Sequence, residues 1–175
     1  MKKSLKQWQK AGFLFTGIMG SLLHFLYEWT NESIFTALFS AVNESTWEHM
    51  KLLFVPLFIF ALIQWKIRGR HYENFWWVKL FGTLAGLIAI PVLYYTYTGV
   101  FGKSADWFNI AIFFIAAAVT FCLEYRFFKR GVSFDLPQIL AFSALCIILV
   151  AFVVLTFIQP GIPLFLDPVT NSYGR

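Results

Sequence analysis

PQILAFSALCIILVAFVVLTFI, residues 137–158, carries no charged side chain. A helix needs about 20 mostly apolar residues to cross the hydrocarbon of a bilayer, and this run supplies them. It is apolar on every face, whereas a helix at the surface of a soluble domain keeps a polar side. The run therefore predicts a membrane span, and it sets the scale for reading the rest.

Four further stretches approach the same length and character: residues 11–29, 47–65, 76–97 and 106–128. The first is the weakest, because it ends in His24 and Glu28. The second is polar in its first turn and contains Pro56. The third has Lys79 near its start and Pro91 near its end. Composition agrees. The chain has 175 residues, 59% apolar and 13% charged, with 22 Phe and 7 Trp. An ordinary soluble domain is about 45–50% apolar and about 25% charged. A soluble core has no room for this much apolar surface, but a bilayer does. No polar linker divides the chain. The expectation is an all-α membrane protein of one integral domain over residues 1–175. It is a bundle of five transmembrane helices with a short interfacial or re-entrant helix between the first two. That short helix falls in residues 33–42, where Ile34, Leu38, Ala41 and Val42 recur at helical spacing; a plain loop packed on the bundle is the alternative.

Charge placement orients the bundle. Eleven of the fourteen Lys and Arg residues fall in the N-terminal segment, the loop after the second span and the loop after the fourth. Lys51, Lys103 and Arg175 remain for the other side. By the positive-inside rule the N-terminus is cytoplasmic and the C-terminal tail, residues 159–175, is extracytoplasmic. This placement accounts for the net charge of +5 without nucleic acid as a partner. Lys2, Lys3, Lys6 and Lys10 before an apolar stretch imitate a secretory signal. No small-residue cleavage site follows, so the stretch is read as a retained span. Trp29, Trp47, Trp65, Trp76, Trp77 and Trp107 sit at span ends, as an aromatic belt requires. Gly82 and Gly86 permit close helix contact. Cys122 and Cys146 lie in apolar runs and are read as small hydrophobes.

Two polar strings interrupt the apolar pattern: HFLYE, residues 24–28, and NESTWEH, residues 43–49. Both fall at the expected outer face. Ionisable groups near lipid are costly unless paired, metal-bound or facing water, and so point to function. His24 and Glu28 share a helix face one turn apart. Glu44 and Glu48 have the same spacing if one helix includes both. Imidazole with carboxylate is the ligand set of zinc or another divalent metal. The expected metal ligands are His24, Glu28 and His49. Glu48 and Glu44 supply catalytic carboxylates, and Asp167 of the tail a further one at the edge. A metal-free acid–base pair is equally writable. Each residue also has a plainer role. Ser45 and Glu48 fit a capping box, Lys51 is placed to pair with Glu48, and His24 to hydrogen-bond across a helix interface. The tail carries Leu164, Phe165 and Leu166 among prolines, which favours an ordered lid over disorder. His71 is read as a polar loop residue.

The strings LLHFLYEW (22–29), VNESTWEHMKLLF (42–54), YTYTG (95–99) and PLFLDP (163–168), with Tyr173 and Gly174, resemble a family of small membrane proteins from Gram-positive bacteria. That family is domain of unknown function 6512. The resemblance covers nearly the whole chain. It implies a bacterial plasma-membrane protein of several helices and assigns no catalytic residue. Three functions fit the sequence. One is a membrane-embedded, metal-dependent hydrolase acting on a lipid or peptide at the outer leaflet. The second is a small transporter or channel component binding a cation or proton. The third is a non-catalytic partner of another membrane protein or of a second copy of this chain. Transport requires polar residues across the bilayer, and Thr16, Ser21, Thr83, Asn109, Thr120 and Ser143 are the candidates.

Overall fold

The computed structural model describes residues 2–102 and 105–174, without the side chains of Lys2, Lys3, Arg70 and Asp106. Lys103 and Arg175, expected on the outer face, lie outside the described residues. The described residues form six α-helices: α1 (Lys2–Trp29), α2 (Ile34–Ala37), α3 (Thr46–Arg68), α4 (Phe75–Phe101), α5 (Asp106–Arg130) and α6 (Gln138–Phe157). Among the described residues there is no strand, only an isolated bridge between Asp167 and Ser172 in the tail.

Four helices are long and apolar enough to cross a membrane: Thr46–Arg68, Phe75–Phe101, Trp107–Arg130 and Gln138–Phe157. The N-terminal helix, expected as a further span, is not among them. At 28 residues α1 is long enough, but it is the most amphipathic of the long helices. Its buried face runs through Leu5, Gln9, Thr16, Leu23 and Tyr27, at steps that add up to threes and fours, the spacing of one helix face. That face packs on α3 and α5, while Leu14, Ile18, Leu22 and Trp29 point outward. α1 ends where Asn31 and Glu32 adopt left-handed backbone, φ 52° and 57°. The Glu32 N–H donates to Tyr27 O and the Asn31 N–H to Glu28 O, the Schellman pattern that satisfies terminal carbonyls.

The expected helix over 33–42 is shorter than its periodicity suggested. It ends at Ala37, leaving Ala37 and Ala41 buried and Ile34 and Phe35 exposed. Ser45 caps α3, its hydroxyl accepting from the Glu48 N–H; the reciprocal half of the expected capping box is not formed, because the Ser45 N–H donates to Asn43 Oδ1. Helix α3 starts at Thr46, so Glu44 lies outside it and does not share a face with Glu48.

Gly82 and Gly86 face α5. A Cβ at Gly82 would sit 2.6 Å from Glu124 Cγ, and one at Gly86 2.1 Å from Thr120 Oγ1. Only glycine allows the two backbones this close, which is the physical content of the G-x-x-x-G spacing. Below that contact Lys79 Nζ lies 2.6 Å from Glu124 Oε2, with both side chains buried. Phe60, Phe75 and Phe121 present their rings to the ammonium at 5.7 Å. Charge placement alone had grouped Lys79 with the inner loop, and Trp76 with the aromatic belt. Both turn into the bundle instead, Trp76 packing on Phe142 with ring centroids 4.6 Å apart. Cys122 and Cys146 are free thiols.

The Lys79–Glu124 pair generates a stability prediction. Lys79→Met leaves a buried carboxylate without its cation and lowers stability by about 3–5 kcal/mol, whereas Lys79→Met with Glu124→Leu recovers most of the loss. Thermal unfolding in detergent measures both. A single variant as stable as the parent contradicts the expectation.

Candidate metal centre

The end of the bundle where α1 stops and α3 begins gathers three ionisable side chains. His24 comes from the last turns of α1, His49 from the first turn of α3, and Glu44 from the loop before it. Glu44 sits between the rings. Its Oε1 is 3.6 Å from His24 Nε2 and its Oε2 is 3.5 Å from His49 Nε2. The ring centroids are 5.6 Å apart at 68°. One donor atom from each residue lies within 4.8 Å of the others.

These separations are informative. A hydrogen bond between a ring nitrogen and a carboxylate closes to about 2.7–3.2 Å. Donor atoms held tetrahedrally at bonds of about 2.0–2.1 Å stand about 3.3–3.4 Å from one another. The two Glu44–imidazole distances exceed the first range, and each runs to a different oxygen of the carboxylate. The tautomer of His49 is set as well. Its Nδ1 is 3.0 Å from Ser45 O, and a carbonyl only accepts, so Nδ1 carries the proton. In the neutral ring the lone pair is then on Nε2, the atom facing Glu44. A backbone carbonyl holding the far nitrogen is the usual outer support of a metal-bound imidazole. The polar contact from the His24 ring holds the Glu44 carboxyl below the usual carboxylate range, with burial opposing. The sign follows: this carboxylate contributes stability at neutral pH that is lost as pH falls through its lowered value.

The other residues expected at this site are placed differently. Glu28, expected as a ligand, is exposed near the end of α1 and outside the group of three. Glu48 is fully buried and turned away. It pairs with Lys51 at 2.6 Å, accepts from the Val42 N–H at 3.2 Å, and lies 3.0 Å from the Thr156 hydroxyl. Lys51 also donates to Ala37 O at 2.9 Å and to Thr156 Oγ1 at 2.7 Å. Asp167 closes its own turn, its Oδ1 accepting from the Val169 N–H at 2.7 Å. That turn sets Pro168 and Val169 against the site. The tail is fastened further by Asn43 Nδ2 donating to Gly174 O at 2.7 Å and by Phe165 packing on Trp47 at 4.8 Å.

Two adjoining cavities flank the three residues. One of about 590 Å³ opens between α1 and α5 beside His24, Glu44 and His49. A smaller one of about 80 Å³ lies under the tail, between His49, Tyr94 and Pro168. Asn109 lines both. The part played by Tyr94 had no signal in the sequence, since only the packing of α4 brings it here; Pro168 and Val169 belong to the tail expected to fold as a lid.

An all-helical bundle with a His–Glu–His cluster at one end is the class that fold and site define. The chain belongs to a family of unknown function, DUF6512, whose model matches residues 1–175. No curated protein and no solved structure matches it.

The contrast between the two neighbouring glutamates is testable. Glu48→Ala strands a buried ammonium and costs about 3–5 kcal/mol. Glu44→Ala, at a half-exposed site, changes stability by less than about 1 kcal/mol. Equal losses in detergent melts would contradict the separate roles.

Proposed function

We propose that this chain is a membrane-embedded, divalent-metal-dependent hydrolase. Its metal is held by His24, Glu44 and His49. The observation that carries the reading is the convergence of two imidazoles and one carboxylate, with one donor atom from each within 4.8 Å of the others. Two histidines and one carboxylate leave a coordination position for water, the arrangement of catalytic rather than structural zinc sites. Such an ion brings the pKa of bound water to about 7, and so supplies a nucleophile at neutral pH. The adjoining cavities give substrate and water room to reach that position. Glu48 and Asp167 are positioning residues in this reading: one fixes the loop that carries Glu44, the other the turn over the site.

In the same proposal α1 is a fifth crossing, the N-terminus is cytoplasmic, and the site faces the outer leaflet of a bacterial plasma membrane. The Lys and Arg bias supports that orientation, and the packing of α1 against α3 and α5 supports its place among the spans. Transport of a cation or proton is the weaker reading. Thr16, Thr83 and Thr120 are buried, as transport would need. Yet a Cβ at Gly12 would meet Phe60 and Phe121, and one at Gly20 would meet Phe113. Aromatic rings thus occupy the interior between the His–Glu–His cluster and the Lys79–Glu124 pair.

The test is the metal content of detergent-purified protein by elemental mass spectrometry. About one zinc, manganese or iron per chain is expected in the parent and in Glu28→Ala. It should be lost in His24→Ala, Glu44→Ala and His49→Ala. Ligating imidazole must be neutral, so occupancy should fall as the solution is acidified. Folded parent protein that takes up no metal after supplementation overturns the reading.

A further inference from the structure

We infer that the cleft between α1 and α5 receives an acyl chain of a bilayer lipid and delivers that lipid's polar head to the His–Glu–His cluster. The inference rests on the metal-site reading and adds the substrate class. Its first support is the shape of the site. The larger cavity, about 590 Å³, falls within the range of about 300–1,000 Å³ that holds small-molecule ligands. At one end stand His24, Glu44 and His49. The remaining wall is mostly apolar, with Leu52 of α3 and Phe113 of α5 as its inner part. A site with an ion at one end and an apolar slot behind it matches an amphiphile.

The second support is where the cleft opens. Its rim is formed by Phe25 of α1 with Ile110 and Phe114 of α5, exposed by 48%, 61% and 37%. Helix α5 is among the helices apolar enough to cross a membrane. Large apolar side chains exposed on such a helix face hydrocarbon. The mouth is therefore lateral, and a lipid reaches it without leaving the bilayer, so little apolar area has to pass through water. The smaller cavity, beside Tyr94, Thr46 and Pro168, opens under the tail instead.

The inner wall makes the inference testable. Leu52 and Phe113 are only 2% and 9% exposed, so lipid that merely surrounds the bundle does not touch them. The probe is phosphatidylglycerol with a photoactivatable diazirine midway along one acyl chain, incorporated with the full-length protein into proteoliposomes. After irradiation, adducts are mapped by peptide mass spectrometry and metal content is measured on the same samples. Adducts on Leu52 and Phe113 are expected in the parent. They should be lost in Ser21→Phe and, independently, in Ile110→Trp. Each of these variants narrows the cleft from a different helix and leaves the three donors in place, so metal content should not change. Adducts confined to Phe25, Ile110 and other rim residues overturn the inference even where metal is bound. So does persistence of the Leu52 and Phe113 adducts in both folded variants. Adducts on the inner wall of protein that binds no metal would uphold the lipid cleft and defeat the metal reading alone.

Discussion

The rest of the structure hangs on the buried pair between Glu48 and Lys51. Two charges one turn apart at the start of a helix would ordinarily face water. Here both are fully buried. Taking them out of water costs several kcal/mol per ion, a cost offset only when every remaining donor and acceptor is satisfied. The partners come from two places in the chain: Ala37 and Val42 from the connection after α1, and Thr156 from α6. The pair therefore fixes how the connection, α3 and α6 meet. Segment 37–45 has nowhere else to go, and Glu44 at its end is delivered between two imidazoles.

Much of this junction was legible in the sequence, and the rest was not for a definable reason. The serine cap of α3 and the pairing of Glu48 with Lys51 are local, set by spacings of three residues, and the structure has both. The role of Glu44 turned on a single boundary. Had α3 begun two residues earlier, Glu44 and Glu48 would have shared a face. With Ser45 as the cap, Glu44 falls in non-helical backbone and points elsewhere. Glu28, one turn from His24 on the same helix, is exposed and lies outside the group of three. Lys79 and Glu124 are 45 residues apart. Near span ends, each alone reads as a headgroup-facing charge, and only the close approach of α4 and α5 at Gly82 and Gly86 makes them partners.

The bundle thus has a buried ion pair toward each end and an aromatic interior between them. The Lys79–Glu124 pair sits among Phe60, Phe75 and Phe121. Beside the Glu48–Lys51 pair in the chain, Trp47 packs on Phe152 with ring centroids 4.5 Å apart. Unpaired, either charge would be intolerable in such surroundings. Paired, each acts as a directional lock that hydrophobic contact alone does not provide, because apolar helices in a bilayer slide and rotate with little penalty. α6 shows the point. It is apolar on all sides, and Thr156 is the residue that gives it a fixed register against α3.

Structural roles account for most of the ionisable groups at the end of the bundle where α1 stops and α3 begins, and the accounting isolates those that remain. Ser45 caps, Glu48 and Lys51 neutralise each other, and Asp167 closes its own turn. Glu28 reaches outward. What is left is His24, Glu44 and His49, and no helix end or loop turn needs all three together. Capping would be satisfied by Ser45 without His49, whose ring instead reaches back to the Ser45 carbonyl and so fixes the direction of its other nitrogen. That direction is toward Glu44. A residue kept only for packing has no use for a defined tautomer, whereas a ligand does. The hydrogen bond to the Ser45 carbonyl leaves the other ring nitrogen of His49 facing Glu44 at 3.5 Å, and that geometry is the ground of the metal-site proposal.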